Sequence, residues 1–354
     1  MRVLLVEPLK SKKYHSSYPP LGLLKLAAYH KKKRDKVRLV QGISDDGFEP
    51  NTIYITSLFT YAYEPVHDVI RYYSKQYKKA RMVVGGIYAT LCPEHLRRTF
   101  KDRIEIHQGL KEEIENILPD YSLIPSWNAS ILFSSRGCIR DCPFCSVPQM
   151  EPEFKAKKSI KHLIYPGHKK VVLWDNNVLA SPYWKNIFGE IEESGLEVDF
   201  NQGLDARLLN EEVAIGLKKL KSPLVRLAYD SNGIRRPLEK SINLLKDVGI
   251  RGRKILVYCL YNHLDTPEVF LNRIRDILCW EVVAYPMRYE PVNPVPKNNY
   301  ISPNWTHEQL EMISKARRVI GYGGAFPPYE GLKKKILNAK NFEKAFELRP
   351  IKYK

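Results

Sequence analysis

The 354-residue sequence predicts an α/β protein in two parts. A doubly wound parallel sheet is expected over residues 1–118, and a partial β/α barrel of about six units over residues 131–292. Three observations carry this expectation. Short apolar runs alternate with amphipathic stretches along most of the chain. A proline-bearing, aperiodic segment at 119–130 separates two such series and reads as a linker. In the second series, four of the strands run into unusually polar residues, as strands do when their C-terminal ends line a site.

In the first series, Arg2–Glu7 (RVLLVE) reads as a buried strand and Pro19–Lys33 as a helix with a basic end. Val37–Val40, Thr52–Leu58 and Ala80–Val84 read as strands, with a helix at Glu64–Tyr77 before the last of them. Gly85-Gly86 ends a strand, and Ile104–Gln108 offers a short final one. In the second series, strands are expected at Ser130–Ser134, Val171–Trp174, Glu197–Phe200, Leu224–Ala228, Lys254–Leu260 and Val282–Pro286. Helices are expected at about 182–194, 210–219, 235–247 and 267–279. That is fewer than the eight units of a closed barrel. Residues 293–354 form a C-terminal extension expected to cap the barrel. It has a Pro/Asn-rich loop, a helix near His307–Val319, a Gly/Pro loop at 321–331 and a basic helical tail.

Composition is that of a globular protein, with 44% hydrophobic and 27% charged residues. No apolar run reaches the ~18–20 residues that span a bilayer, and the N-terminus reads as a strand rather than a signal peptide. The expected location is therefore cytoplasmic. The formal net charge is +18. Cations cluster at Lys31, Lys32, Lys33, Arg34, Lys36 and Arg38, and again at Lys333, Lys334, Lys335, Lys340, Lys344, Arg349, Lys352 and Lys354. Such a surface attracts RNA, DNA, anionic lipid or an acidic protein, or is simply solvated.

Of six cysteines, three lie within eight residues: Cys138, Cys142 and Cys145, spaced C-x3-C-x2-C. They follow a predicted strand, and a cytosolic chain of this size needs no disulfides. Three thiolates can ligate three irons of a [4Fe–4S] cluster that ordinarily takes four cysteines, so one iron keeps an open position. A zinc knuckle is the alternative. Its fourth ligand would have to be His162 or His168, and neither is regularly spaced. Of the scattered cysteines, Cys92 and Cys279 read as small buried hydrophobes. Cys259, in the strand-like ILVYCLY, reads as either a buried hydrophobe or a hydrogen-atom donor to a radical.

The Arg136-Gly137-Cys138-Ile139-Arg140-Asp141-Cys142-Pro143-Phe144-Cys145 segment resembles the signature of the radical S-adenosylmethionine (SAM) superfamily. The resemblance implies a radical SAM barrel: a partial, TIM-like one of six units with the motif after its first strand. It implies that the open iron chelates SAM, that Phe144 packs near it, and that reductive cleavage starts radical chemistry. An electron donor such as ferredoxin or flavodoxin is implied with it. SAM-holding groups are then expected at four strand ends. In Trp174-Asp175-Asn176-Asn177, Asp175 is the choice for the methionine ammonium, with Asn176 beside it; the superfamily often has a Gly-Gly-Glu-like segment there. In Asn201–Arg207, Gln202 or Asp205 suits the ribose, while Arg207 reaches the SAM carboxylate, caps a helix or pairs with an acid. Asp230 suits the ribose or methionine part, or caps the next helix. Arg288 and Tyr289 line the SAM or substrate pocket.

The first part resembles the N-terminal domain of cobalamin-binding radical SAM proteins, a Rossmann-like sheet. The matching residues are Tyr18–Leu24 with Leu26–Tyr29, Gly85–Thr90 with Pro93-Glu94, and part of a Gly-Glu-Gly-Glu pattern in Gly109–Glu113. The D-x-H-x-x-G cobalt-ligand motif is absent. Two readings stay open: bound cobalamin with methyl transfer to an unactivated carbon, which makes the protein a transferase, or a domain that has lost cobalamin and contacts substrate. The substrate in the second case includes RNA, DNA or protein. The competing class is a basic nucleic-acid-binding protein with a structural metal site.

Overall fold

In the computed structural model, which describes residues 1–8, 18–45, 47–221, 223–294, 296–319, 325–326 and 330–348, the first apolar run becomes strand β1 (Arg2–Glu7). Helix α1 (Leu21–Lys32), β2 (Lys36–Gln41), β3 (Thr52–Ser57), α2 (Tyr63–Gln76) and β4 (Arg81–Gly86) follow. Next come α3 (Ile87–Leu91), α4 (Pro93–Phe100), β5 (Glu105–His107) and α5 (Glu112–Glu115). The five strands are all parallel, in the order β2-β1-β3-β4-β5. Val3 and Leu5 join one apolar cluster with Leu23 and Ala27 of α1, while Leu4 and Val6 join another with Val66 and Ile70 of α2. Burial on both faces explains why β1 is an unbroken apolar run. Helices α3 and α4 were not expected from the glycine-led segment that contains them. Pro93 opens α4, where its missing N–H costs nothing.

The second series begins with β6 (Ala129–Leu132), β7 (Ser135–Arg136), α6 (Val147–Met150) and β8 (Lys155–Ala156). It continues through β9 (Lys170–Leu173), α7 (Trp184–Ser194), β10 (Glu197–Phe200), α8 (Glu211–Lys219) and β11 (Val225–Ala228). Then come α9 (Arg235–Asp247), β12 (Ile255–Tyr261), α10 (Pro267–Cys279) and β13 (Val283–Arg288). Two helix starts are written in the sequence. The Asn210 side chain accepts from the Val213 amide at 2.9 Å before α8. Thr266 does the same for Val269 at 3.4 Å before α10, which has Pro267 in its first turn.

Six of these strands keep sequence order but bond as two parallel sheets, β6-β9-β10 and β11-β12-β13. Between β10 and β11 the connection is a parallel bridge from Glu197 to Lys221, and the Leu204 amide donates to the Arg226 carbonyl at 2.8 Å. Along β12, Ile255, Val257, Cys259 and Tyr261 are buried, while Leu256, Tyr258 and Leu260 are only partly covered. The buried set shares one core with Phe270, Leu271 and Ile274 of α10, so that face is the helix-covered one.

Segment 119–130 is packed rather than loose. The amide of Ile131 donates to the Tyr121 hydroxyl at 2.8 Å, and Ala129 and Ser130 already belong to β6. The start of α1 also leans on the second series. Leu21 shares a cluster with Ala129, Ile131 and Val172, and the Asn201 amide group donates to the Tyr18 hydroxyl at 2.8 Å.

The C-terminal extension contributes α11 (His307–Val319), α12 (Glu330–Asn338) and α13 (Phe342–Phe346). Phe326 bridges Ala284 of β13, and the Phe346 ring lies 5.9 Å from Phe270 of α10. Residues 321–324 and 327–329 of the Gly/Pro loop, and the cations Arg349, Lys352 and Lys354, lie outside the described residues. Among the described residues, no helix is long and apolar enough to cross a membrane.

Candidate active site

The three clustered cysteines sit on a loop framed by the antiparallel pair β7 and β8, a feature too short to read from sequence. Two anchors hold its start. The first is Asp175, just past β9. It is 3% exposed and accepts from the amide and hydroxyl of Ser134 at 3.0 and 2.6 Å. It also accepts from the hydroxyl of Ser135 at 2.7 Å and from the Ser135 amide. Burial pushes its carboxyl above the usual range, although the four hydrogen bonds pull the other way. Asp175 was expected to meet a ligand ammonium; instead its oxygens are taken up inside the protein, and it positions the turn that leads into the loop.

The second anchor is Gly137, whose φ of +71° lies in the left-handed region. A Cβ there would stand 2.3 Å from the Glu153 carbonyl oxygen, so only glycine fits. By contrast, Gly86 approaches protein rather than open space. Its Cβ would stand 2.3 Å from the Ser57 carbonyl oxygen, so it serves the close packing of β4 against the end of β3.

All three cysteines are free and only partly covered. The Arg140 amide donates to the Cys138 sulfur at 3.4 Å, and the Val147 amide to the Cys145 sulfur at 3.5 Å. The Asn177 side-chain NH2 also points at Cys138, at 3.7 Å, while its buried carbonyl oxygen has no hydrogen-bond partner among the described residues. The positive charge of Arg207 lies near enough to Cys142 to favour its thiolate. Burial raises the Cys142 and Cys145 thiols; Cys145 and Cys138 add to the rise at Cys142, and Cys138 and Asp230 to that at Cys145. Among the described residues, no three His, Cys, Asp or Glu side chains converge closely enough to share one metal ion.

The ends of several parallel strands meet this loop. Asp205, past β10, accepts from Arg140 at 2.9 Å, Arg207 at 2.7 Å and Asn177 at 3.3 Å. Burial opposes its ionisation, but the bonds from Arg207 and Arg140 win and hold its carboxyl below the usual range. Asp205 therefore ties the cysteine loop to the β10 end, and Arg207 takes the acid-pairing role. Gln202 is exposed and, among the described residues, its side chain bonds only its neighbour Asn201, at 3.3 Å. Asn176 is held by Glu151 at 3.1 Å. Phe144 makes an edge contact with His263 at 5.9 Å, and His263 with Tyr289 at 4.6 Å, so Tyr289 does reach the loop region through a ring that was not foreseen.

Two expectations fail on strand geometry. Cys259 is fully buried on the helix-covered face of β12, where burial pushes its thiol up to about 12. It faces α10 rather than the cysteine loop and cannot donate a hydrogen atom there. Arg288 donates to the carbonyls of Asn298 and Tyr300 at 2.9 and 2.7 Å, pinning the extension rather than lining a pocket.

Asp230, past β11, is the acid left open. Burial pushes it up to about 6, against the charges of Arg273 and Arg207, and its carboxylate makes no hydrogen bond among the described residues. A carboxyl titrating near 6 folded and near 3.9 unfolded binds more protons folded than unfolded between those values. Its contribution to stability therefore falls as pH rises through that window. Asp230→Asn is expected to stabilise the apoprotein by about 1–3 kcal/mol at about pH 8, with no gain below about pH 4. Urea unfolding across that pH range reads this directly, and a pH-independent difference would contradict it.

The fold and site thus define an α/β protein with free cysteines on a loop beside the carboxyl ends of parallel strands. No protein-family model matches the chain, and no curated protein is similar to it.

Proposed function

We propose that the protein is a radical SAM enzyme in which Cys138, Cys142 and Cys145 hold a [4Fe–4S] cluster. The observation that carries this reading is the cysteine loop itself. It presents three free thiols, two of them receiving backbone N–H bonds, beside the ends of β9, β10 and β11. N–H donors to sulfur stabilise thiolate ligands and tune such clusters. The donor set fits. Three cysteine thiolates on one loop are the donor type that iron–sulfur clusters take. The unpartnered Asn177 oxygen beside Cys138 adds a polar group with unused capacity.

Held by Cys138, Cys142 and Cys145, a [4Fe–4S] cluster would supply the single electron that reductive cleavage of a sulfonium C–S bond of SAM needs. The chain's own residues bind and orient. The carboxylate of Asp230, which accepts no hydrogen bond among the described residues, would pair with an ammonium or a hydroxyl. Arg207 would offer donors beside Cys142, and Gln202 is exposed past the end of β10. Phe144, His263 and Tyr289 form an aromatic wall. Six parallel strands in sequence order support a partial, TIM-like β/α barrel beneath them.

The N-terminal sheet order β2-β1-β3-β4-β5 supports a doubly wound, Rossmann-like domain, a fold that takes ligands where its strand order reverses, beyond the β1 and β3 ends. Cobalamin-dependent methyl transfer to an unactivated carbon is the reaction both halves would serve together. A ferredoxin or flavodoxin would deliver the electron, and the net charge of +18 favours an anionic substrate such as RNA or DNA.

Anaerobic reconstitution with iron, sulfide and cobalamin, followed by SAM and a reductant, tests the reading. The wild type is expected to form 5′-deoxyadenosine, and Cys142→Ala to form none above background. S-adenosylhomocysteine made only with cobalamin would add methyl transfer. A well-folded wild type that binds zinc and forms neither product would sink the proposal.

A further inference from the structure

A chain of buried charges runs from the N-terminal sheet domain to the cysteine loop. Glu115, at the end of α5, accepts both arms of a fork from Arg136: Nε to Oε1 and an NH2 to Oε2, each at 2.8 Å. The remaining arm of Arg136 donates to Glu151 at 3.0 Å. The second oxygen of Glu151 accepts from the Gly137 amide at 2.7 Å and from Asn176 at 3.1 Å. The Arg136 guanidinium also lies over the Phe133 ring at 3.3 Å. The side chains of Glu115, Arg136 and Glu151 are only 11%, 12% and 10% exposed. Gly137 immediately precedes Cys138, and its backbone has no slack against Glu153.

Glu115 has two further cations. The buried Lys25 of α1 stands 3.5 Å from Oε2 and also donates to the Glu115 carbonyl at 2.9 Å. Lys157 lies at 3.6 Å. Three cations therefore surround one carboxylate, and burial of Lys25 lowers its ammonium to about 8 despite that carboxylate. Loss of the Glu115 charge would leave Arg136, Lys25 and Lys157 facing Glu151 as the nearest acid on the path. A buried pair broken from one side leaves the other charge uncompensated, which is costlier than the pair was worth.

We propose that Glu115 is a positioning residue for the cysteine loop: through Arg136 and Glu151 it fixes the Gly137–Cys138 backbone, so the N-terminal domain sets the geometry and charge around the iron–sulfur site. The bidentate fork gives Arg136 one orientation, which a single bond would not. The inference rests on the cluster reading for its functional consequence but not for its geometry.

The test compares wild type, Glu115→Gln and Glu115→Asp as full-length proteins. The Gln variant keeps the shape and removes the charge; the Asp variant keeps the charge on a shorter arm. In reconstituted protein, Glu115→Gln is expected to alter the electron paramagnetic resonance signal of the reduced cluster and to shift its potential positive, because a negative charge has gone. Formation of 5′-deoxyadenosine should fall roughly tenfold to a hundredfold, the scale of a ~1 Å misplacement. Glu115→Asp should recover part of each change. In apoprotein, Cys138 should be alkylated faster in Glu115→Gln than in wild type, with thermal unfolding run alongside to identify a collapsed variant. Unchanged signal, potential and alkylation in a folded Glu115→Gln would overturn the positioning role while the enzyme reading stood. A wild type that takes up no cluster would overturn the enzyme reading, and the alkylation rates alone would then decide the positioning role.

Discussion

Asp175→Asn is expected to cost about 2–4 kcal/mol and, on the proposed cluster reading, to stop the cysteine loop taking up iron. The carboxylate receives four hydrogen bonds, two from backbone amides and two from hydroxyls. An asparagine of the same shape presents one oxygen and one NH2. Serine hydroxyls can turn to meet an NH2, but the amides of Ser134 and Ser135 cannot, so at least one amide would face another donor in a buried place. The turn after β6 then loses its reason to close, and Arg136, Gly137 and Cys138 follow directly from it. Denaturant unfolding gives the stability loss, and iron per chain after reconstitution gives the loop effect. If Asp175 instead contacted a ligand ammonium, the variant would keep its stability and its iron and lose only SAM affinity.

Gly137→Ala is expected to be nearly as severe, at about 2–4 kcal/mol. An alanine at a φ of +71° is strained by itself, and its Cβ would stand 2.3 Å from the Glu153 oxygen and 2.8 Å from the carbonyl carbon. Both contacts are backbone, so no rotamer change relieves them. Relief requires β7 and β8 to part, which breaks the two-residue ribbon that frames the loop. The expected signature is a lowered melting temperature with iron uptake lost in the fraction that still folds. The matching change at Gly167 meets nothing within 4 Å, although it too has a positive φ of +87°. Gly167→Ala therefore separates backbone strain alone from strain plus collision, and should leave iron uptake intact.

Much of the architecture was legible because it rests on local patterns. The run Arg2–Glu7, the strand Glu197–Phe200 and the helices Arg235–Asp247 and Pro267–Cys279 fall at their expected bounds. Each combines a clear apolar period with a visible start or stop, such as Thr266-Pro267. The pieces that were missed are short. The β7–β8 ribbon has two residues a side and α6 has four, too few for any period to register. They form because Asp175, Glu151 and Glu115 hold their ends, and those partners lie 14 to 41 residues away in sequence.

The site divides along the same line. Spacing alone brought Cys138, Cys142 and Cys145 onto one loop, and the polar strand ends marked Asp205, Arg207 and Asp230 as candidates to hold SAM; the structure ties Asp205 to that loop through Arg140. These expectations depend only on chain continuity and on parallel strands ending at one edge. The role of each acid and of each lone cysteine was a different matter. Alternation along ILVYCLY separates two faces of β12, but only the packing of α10 shows that Cys259 lies on the covered one. Asp175 and Asp230 are the same residue type at equivalent strand ends. Four donors fold around Asp175, while no hydrogen bond to the Asp230 carboxylate is made among the described residues. The sequence by itself determined the longer strands and helices and which cysteines share a loop, because those follow from local period and spacing. The tertiary structure decided which carboxylate is saturated and which is open, because a hydrogen bond depends on where distant donors arrive in space.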